Sequence, residues 1–242
     1  EEVDRLELSL AVFEALAARV AAEKSSWRGF GLAMQAYQTR ALDLVAHVIG
    51  LARQYKLRFM CRLVKGAYWD AEIKRAQELG MPHYPVFTHK HHTDVNYLAC
   101  ARALLDAPDA VYPQFATHNA GTIAAILQMA ARQVGPHAPS LRGSMSPEGA
   151  QPGLGRLGGE LIAPQFELQR LHGMGEGIYR EVLANPLIAC RVYAPVGAHR
   201  ELLAYLVRRL LENGANSSFV HQMADESVGM DELLISPLRL ET

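Results

Sequence analysis

The sequence predicts an α/β fold built on a parallel sheet, from three observations. Short runs rich in β-branched and aromatic residues alternate with longer stretches of helical period. Half of the 242 residues are hydrophobic, enough to bury a sizeable core. Polar and glycine residues cluster just after every strand-like run, where parallel α/β sheets of either kind bind their ligands.

The strand-like runs are 30–36, 58–64, 84–88, 111–117, 166–172 and 190–194. Helical periods cover 3–23, 38–55, 70–79, 93–106, 119–133, 175–184 and 199–213, the last stopped by Asn213-Gly214. Such alternation means crossover helices, either in a doubly wound sheet or in a closed barrel. Six strands fit the open sheet without remainder, whereas a closed barrel needs eight. Residues 135–165, rich in Gly and Pro, show no strand or helix period and read as an insertion or mobile loop.

Composition narrows the function classes. Lys and Arg number 24 against 25 Asp and Glu, a balance that leaves no basic surface for nucleic acid. Cys61, Cys100 and Cys190 are far apart in sequence, without a CxxC pair, so neither a disulfide framework nor a zinc cluster is expected and a cytoplasmic location is the default. There is no long apolar run to span a membrane and no signal peptide. The absence of an initiator Met suits a piece of a longer chain.

The strand ends carry Gln35-Ala36-Tyr37-Gln38, then Arg62 through Asp70, Thr88-His89-Lys90, Thr117-His118-Asn119, Leu171 through Glu176, and Tyr193 through Gly197. A single Gln or Thr at such a position is ordinarily a helix cap or a loop hydrogen bond. Arg62 differs because it interrupts an apolar strand; a cation there needs a partner, either an acid such as Asp70 or Glu72, or a ligand. Lys65-Gly66-Ala67 puts small residues at a turn whose N–H groups can approach an anion, yet no GxGxxG fingerprint is present. On the last helix Tyr205, Arg208, Arg209 and Glu212 share one face, with leucines and Val207 opposite. That face is either an ordinary solvated one or a carboxylate clamp of two guanidinium groups, oriented by Glu212 and walled by Tyr205. The histidines at 83, 89, 91 and 92 lack a metal-ligand spacing such as HExxH, and no metal is expected. A metal-dependent lyase using His118 and His172, and a non-catalytic piece that pairs with a separate N-terminal segment, are the rival readings.

Taken together, QAYQ (35–38), RLVKGAYWD (62–70), YPQFATHN (112–119), LHGMGE (171–176), RVYAPVG (191–197) and AYLVRRLLENGANSSF (204–219) closely resemble the proline dehydrogenase domain of bifunctional proline utilization A (PutA) proteins. The resemblance covers nearly the whole chain except 135–165. It implies a distorted (β/α)8, TIM-like barrel, with the first two strands lying ahead of Glu1. It also implies FAD as cofactor and oxidation of L-proline to Δ1-pyrroline-5-carboxylate by hydride transfer from proline C5 to flavin N5. The electrons would pass to a membrane quinone, with peripheral association at the inner membrane through the parent protein. By the same resemblance Arg62 would lie against the flavin near N5, and Gln35 would hydrogen-bond its edge. Lys65, Gly66, Ala67, Thr117 and His118 would hold the cofactor, and Trp69 would wall its adenine side. Arg208 and Arg209 would grip the proline carboxylate with support from Glu212, while Tyr193, Tyr205 and Leu171 would enclose the ring. An isolated chain lacking two strands is expected to bind FAD poorly.

Overall fold

The computed structural model describes residues 3–23, 27–133, 155–157, 160–162, 165–214, 222 and 227–239. Five parallel strands form the main sheet: β1 (Gly31–Gln35), β2 (Phe59–Val64), β3 (Val111–Ala116), β6 (Glu167–Leu171) and β7 (Ala189–Tyr193), ordered β1-β2-β3-β6-β7. The helices between them are α2 (Ala41–Tyr55), α3 (Trp69–Glu78), α4 (Lys90–Leu105), α5 (Ala120–Gln133) and α6 (Glu176–Val182). Helix α1 (Leu6–Ala22) precedes β1 and α7 (His199–Gly214) follows β7.

Strand order bears out the barrel-like sheet implied by the resemblance, over the doubly wound sheet that the strand count alone also allowed. A doubly wound sheet reverses its order at a switch point and is covered by helices on both faces. Here spatial order follows chain order throughout. The alternate residues Met34, Phe59, Cys61, Leu63, Val111, Phe115 and Leu168 are buried in one core with Phe13, Val45, Val48, Tyr97, Cys100, Leu104, Ile123 and Ile126 of the helices. The other face carries Gln35, Arg62, Gln114, Glu167, Gln169, Arg191 and Tyr193. Helices outside and a polar inside make a TIM-barrel-like sheet; among the described residues it is an open run with β1 and β7 at its edges.

Two sequence expectations fail. Residues 84–88 are not a strand. Pro85 has no N–H to give a ladder, and the segment makes one antiparallel bridge, Gln38 with Val86. The Phe87 N–H donates to the Tyr37 carbonyl at 2.8 Å and the Thr39 N–H to the Pro85 carbonyl at 3.1 Å, so the segment braces the turn after β1 instead. Conversely, within the Gly/Pro-rich stretch, β4 (Gly155–Leu157) and β5 (Glu160–Ile162) pair antiparallel. The Gly158-Gly159 dipeptide between them is a hairpin signal on its own terms. Residues 135–154 lie outside the described residues.

The strands' lower ends are set by aromatic packing. Phe13 of α1 stacks on Phe30 at 4.7 Å and meets Phe59 edge-on at 4.9 Å, a geometry that adds to the burial energy of both rings. Gly31 is required by proximity: a Cβ there would stand 1.8 Å from the Met60 carbonyl oxygen.

Candidate functional site

The upper ends of the five strands open on one rim, and backbone strain marks its centre. Gly66, just past β2, has φ +143, and a Cβ on it would stand 2.3 Å from the Tyr37 ring. Only glycine allows the chain to turn there while Tyr37 stays packed. The turn presents the Ala67 N–H to the buried Gln35 side chain, whose Oε1 accepts it at 3.1 Å. Gln35 and the Lys65-Gly66-Ala67 turn are therefore joined by one hydrogen bond. Helix α4 fixes the neighbouring turn: Asn96 Nδ2 donates to the Ala36 carbonyl at 2.8 Å and to the Gln38 carbonyl at 3.3 Å.

Arg62 rises from the inner face of β2. Neither acid suggested by the sequence pairs with it. Its Nη2 donates to the Tyr193 hydroxyl, and its guanidinium lies 4.5 Å over the same ring. Its Nε is buried and has no hydrogen-bond partner among the described residues. A buried donor left unsatisfied costs about 1–3 kcal/mol, and no acceptor for this one stands among the described residues.

Thr117 and His118 end β3. Tyr179 of α6 ties this end to the next strand, its hydroxyl reaching the Thr117 carbonyl at 2.8 Å and the Gln169 carbonyl at 3.1 Å. His118 Nε2 accepts the Leu171 N–H at 3.2 Å. Burial first, then the charges of Arg209 and Arg170, lower the His118 pKa to about 4, so the ring is neutral and remains an acceptor. Lys65 turns aside from this group. It pairs with Asp94, which also takes Lys90 at 2.9 Å; burial raises the Asp94 carboxyl, but the two lysines overcome this and hold it below its ordinary value. Trp69 is anchored by its Nε1, which donates to the Phe87 carbonyl at 2.8 Å.

Helix α7 is oriented against its own amphipathicity. Leu203, Leu206 and Val207 are 53%, 40% and 46% exposed, while Tyr205 and Arg209 are half-buried. The Arg209 guanidinium lies 5.3 Å over the Tyr205 ring, and its charge reaches His118. Tyr205 and Arg209 thus lie on a less exposed side of α7 than its leucines and Val207, contrary to a simple solvated face. The side chains of Arg208 and Glu212 lie outside the described residues.

Several residues at the site went unrecognised in the sequence. Gln114, Glu167, Gln169 and Arg191 form one hydrogen-bonded group on the inner face, and Tyr179 is the peg between β3 and β6. The two-residue alternation Glu167-Gln169-Leu171 and Arg191-Tyr193 was the available signal, because it puts each set on one face. Among the described residues no three His, Cys, Asp or Glu side chains converge as metal ligands, and no helix is long and apolar enough to cross a membrane.

The residues present suit a flavin: a half-buried cation whose Nε is unmet among the described residues, a backbone turn that only glycine permits, a buried amide and flanking aromatic rings around one rim. Comparison with known proteins gives the family. The family model "Proline dehydrogenase" matches residues 1–142 and 156–222. The chain is 48% identical to the bifunctional protein PutA of Escherichia coli K12 over 98% of its length, and 47% identical to that of Klebsiella aerogenes. It spans 16% of each of these relatives. A crystal structure of Bradyrhizobium japonicum proline utilization A superposes with a TM-score of 0.79 at 51% identity, over 98% of this chain and 21% of that one. The Bdellovibrio bacteriovorus protein inactivated by N-propargylglycine gives 0.81 at 33% identity, over 100% and 22%. The chain belongs to the proline dehydrogenase family.

Proposed function

We propose that this chain forms the site at which L-proline is oxidised to Δ1-pyrroline-5-carboxylate on a bound FAD, as part of proline catabolism, with a membrane quinone as the final electron acceptor. The observation that carries this reading is Arg62, held over Tyr193 on the inner face with a buried, unmet Nε, opposite a helix that turns Arg209 toward the same rim. When bound, the flavin supplies a two-electron acceptor for the hydride leaving the carbon beside the proline nitrogen.

The chain's residues then have distinct tasks. Arg62 offers a fixed positive charge where electron density accumulates, a preorganised contribution that costs no rearrangement during reaction. Gln35 and the Ala67 turn set the edge against which the ring system rests, and Thr117 and His118 support it from β3. The His118 imidazole is neutral at neutral pH, and with Nε2 accepting the Leu171 N–H its ring hydrogen sits on Nδ1. Trp69 flanks the adenine portion. Arg208 and Arg209 hold the substrate carboxylate by paired N–H donors, and Glu212 orients them. Tyr193, Tyr205 and Leu171 close around the apolar ring, excluding water and strengthening the ion pair.

The test is the visible spectrum of the full-length protein that carries this chain, before and after L-proline under anaerobic conditions. Bleaching of a flavin band by proline supports the reading. A colourless protein, or a flavin indifferent to proline, overturns it. Quinone reduction in the presence of proline, with and without vesicles, tests the acceptor and the peripheral membrane association.

A further inference from the structure

The inner face of the five strands carries three charges: Arg62, Glu167 and Arg191. Glu167 is the one carboxylate in these strands and is 5% exposed. It accepts from Gln114 Nε2 at 2.7 Å, from Gln169 Nε2 at 2.8 Å, and from Arg191 through Nε at 2.8 Å and Nη2 at 3.0 Å. Donors from three strands therefore converge on one carboxylate, and the arginine contact is a two-pronged pair. Burial raises the Glu167 carboxyl, yet the Arg191, Gln169 and Gln114 hydrogen bonds outweigh it and keep the group ionised at neutral pH. Arg62 stands in the same cross-strand register as Gln114 and Glu167, and among the described residues no carboxylate pairs with it. Arg58, just before β2, lies at the opposite end over the Tyr112 ring.

We propose that Glu167 is a positioning residue that partitions charge on this face: it neutralises Arg191 and holds Gln114 and Gln169, leaving Arg62 as the one cation on the inner face of the described strands without a carboxylate. This rests on the flavin reading above and deepens it. An arginine at position 191 without Glu167 would add a second positive charge to the face; its side chain is 57% exposed, so water screens that charge in part and the shift it causes is smaller than that of a buried one. The flavin's reduction potential, which rises when nearby positive charge stabilises the reduced ring, therefore reads this arrangement directly.

The experiment measures flavin midpoint potentials of the full-length wild type, Glu167→Gln, Arg191→Gln and the double variant. Glu167→Gln should shift the potential to more positive values, Arg191→Gln to more negative ones, and the double variant should return toward wild type. The opposite signs separate charge partition from structural loss, which would not give paired opposite shifts. If Glu167→Gln fails to fold, the Arg191→Gln shift and the double variant still decide. Unshifted or same-sign potentials in flavin-loaded variants overturn this proposal alone. A wild-type protein without flavin overturns the proposed function and this inference with it.

Discussion

At neutral pH the His118 imidazole carries no added proton, because burial and the charges of Arg209 and Arg170 hold its pKa at about 4 against an ordinary 6.5. The unfolded chain binds that proton more readily, so the group's contribution to stability is full above pH 6.5 and is lost as pH falls toward about 4. Between pH 7 and pH 5 the loss is about 2 kcal/mol. Urea unfolding of wild type and His118→Gln at both pH values measures it, and the variant should lack that part of the acid sensitivity. Equal pH dependence of the two proteins would place His118 in water. Arg209 carries the second expectation at this scale. With its guanidinium aimed at the strand tips, Arg209→Ala should raise the KM for proline through loss of roughly 2–5 kcal/mol of charge-pair binding. Steady-state kinetics with wild-type KM would remove the residue from the clamp.

The elements around the site are held by the turns between them as much as by their own periods. Gly66 shows this most clearly, since its φ of +143 and the Tyr37 ring both exclude a side chain. Gly66→Ala should cost about 1–3 kcal/mol of stability through backbone strain. It should also weaken flavin retention, because the Ala67 N–H would leave Gln35. Thermal unfolding and flavin content measured together check both parts; an unaltered midpoint would mean that Tyr37 can swing aside. The segment 84–88 carries the complementary lesson. Its β-branched and aromatic composition reads as a strand, but Pro85 cannot contribute to a ladder, and the segment braces the post-β1 turn instead.

Across the whole molecule, stability is graded over the sheet. Phe59, Cys61, Leu63, Val111 and Phe115 of β2 and β3 are fully buried, whereas Arg191 and Val192 of β7 are exposed. Amide hydrogen exchange should therefore be slowest in β2 and β3 and fastest in β7, with β1 between them. Uniform protection would show that β7 is covered in solution.

The sequence by itself determined the α/β class, the seven principal helices, five of the six expected strands and the family, because periodicity and short motifs are local properties of the chain. It also singled out Arg62, Gln35, Gly66, Thr117, His118 and Arg209 as candidates, from their places after strands or along a helix face. Tertiary structure alone decided the rest. Strand count alone left a doubly wound sheet open, and although the family resemblance implied a barrel, the strand order is what shows the barrel-like sheet, since helix-on-one-face packing depends on neighbours far apart in sequence. Only assembled strands show that Tyr193, 131 residues beyond Arg62, is its partner. In the same way, donors from β3, β6 and β7 converge on Glu167. A parallel sheet makes such pairs from segments separated by whole crossover helices, and no local pattern records which strands will meet.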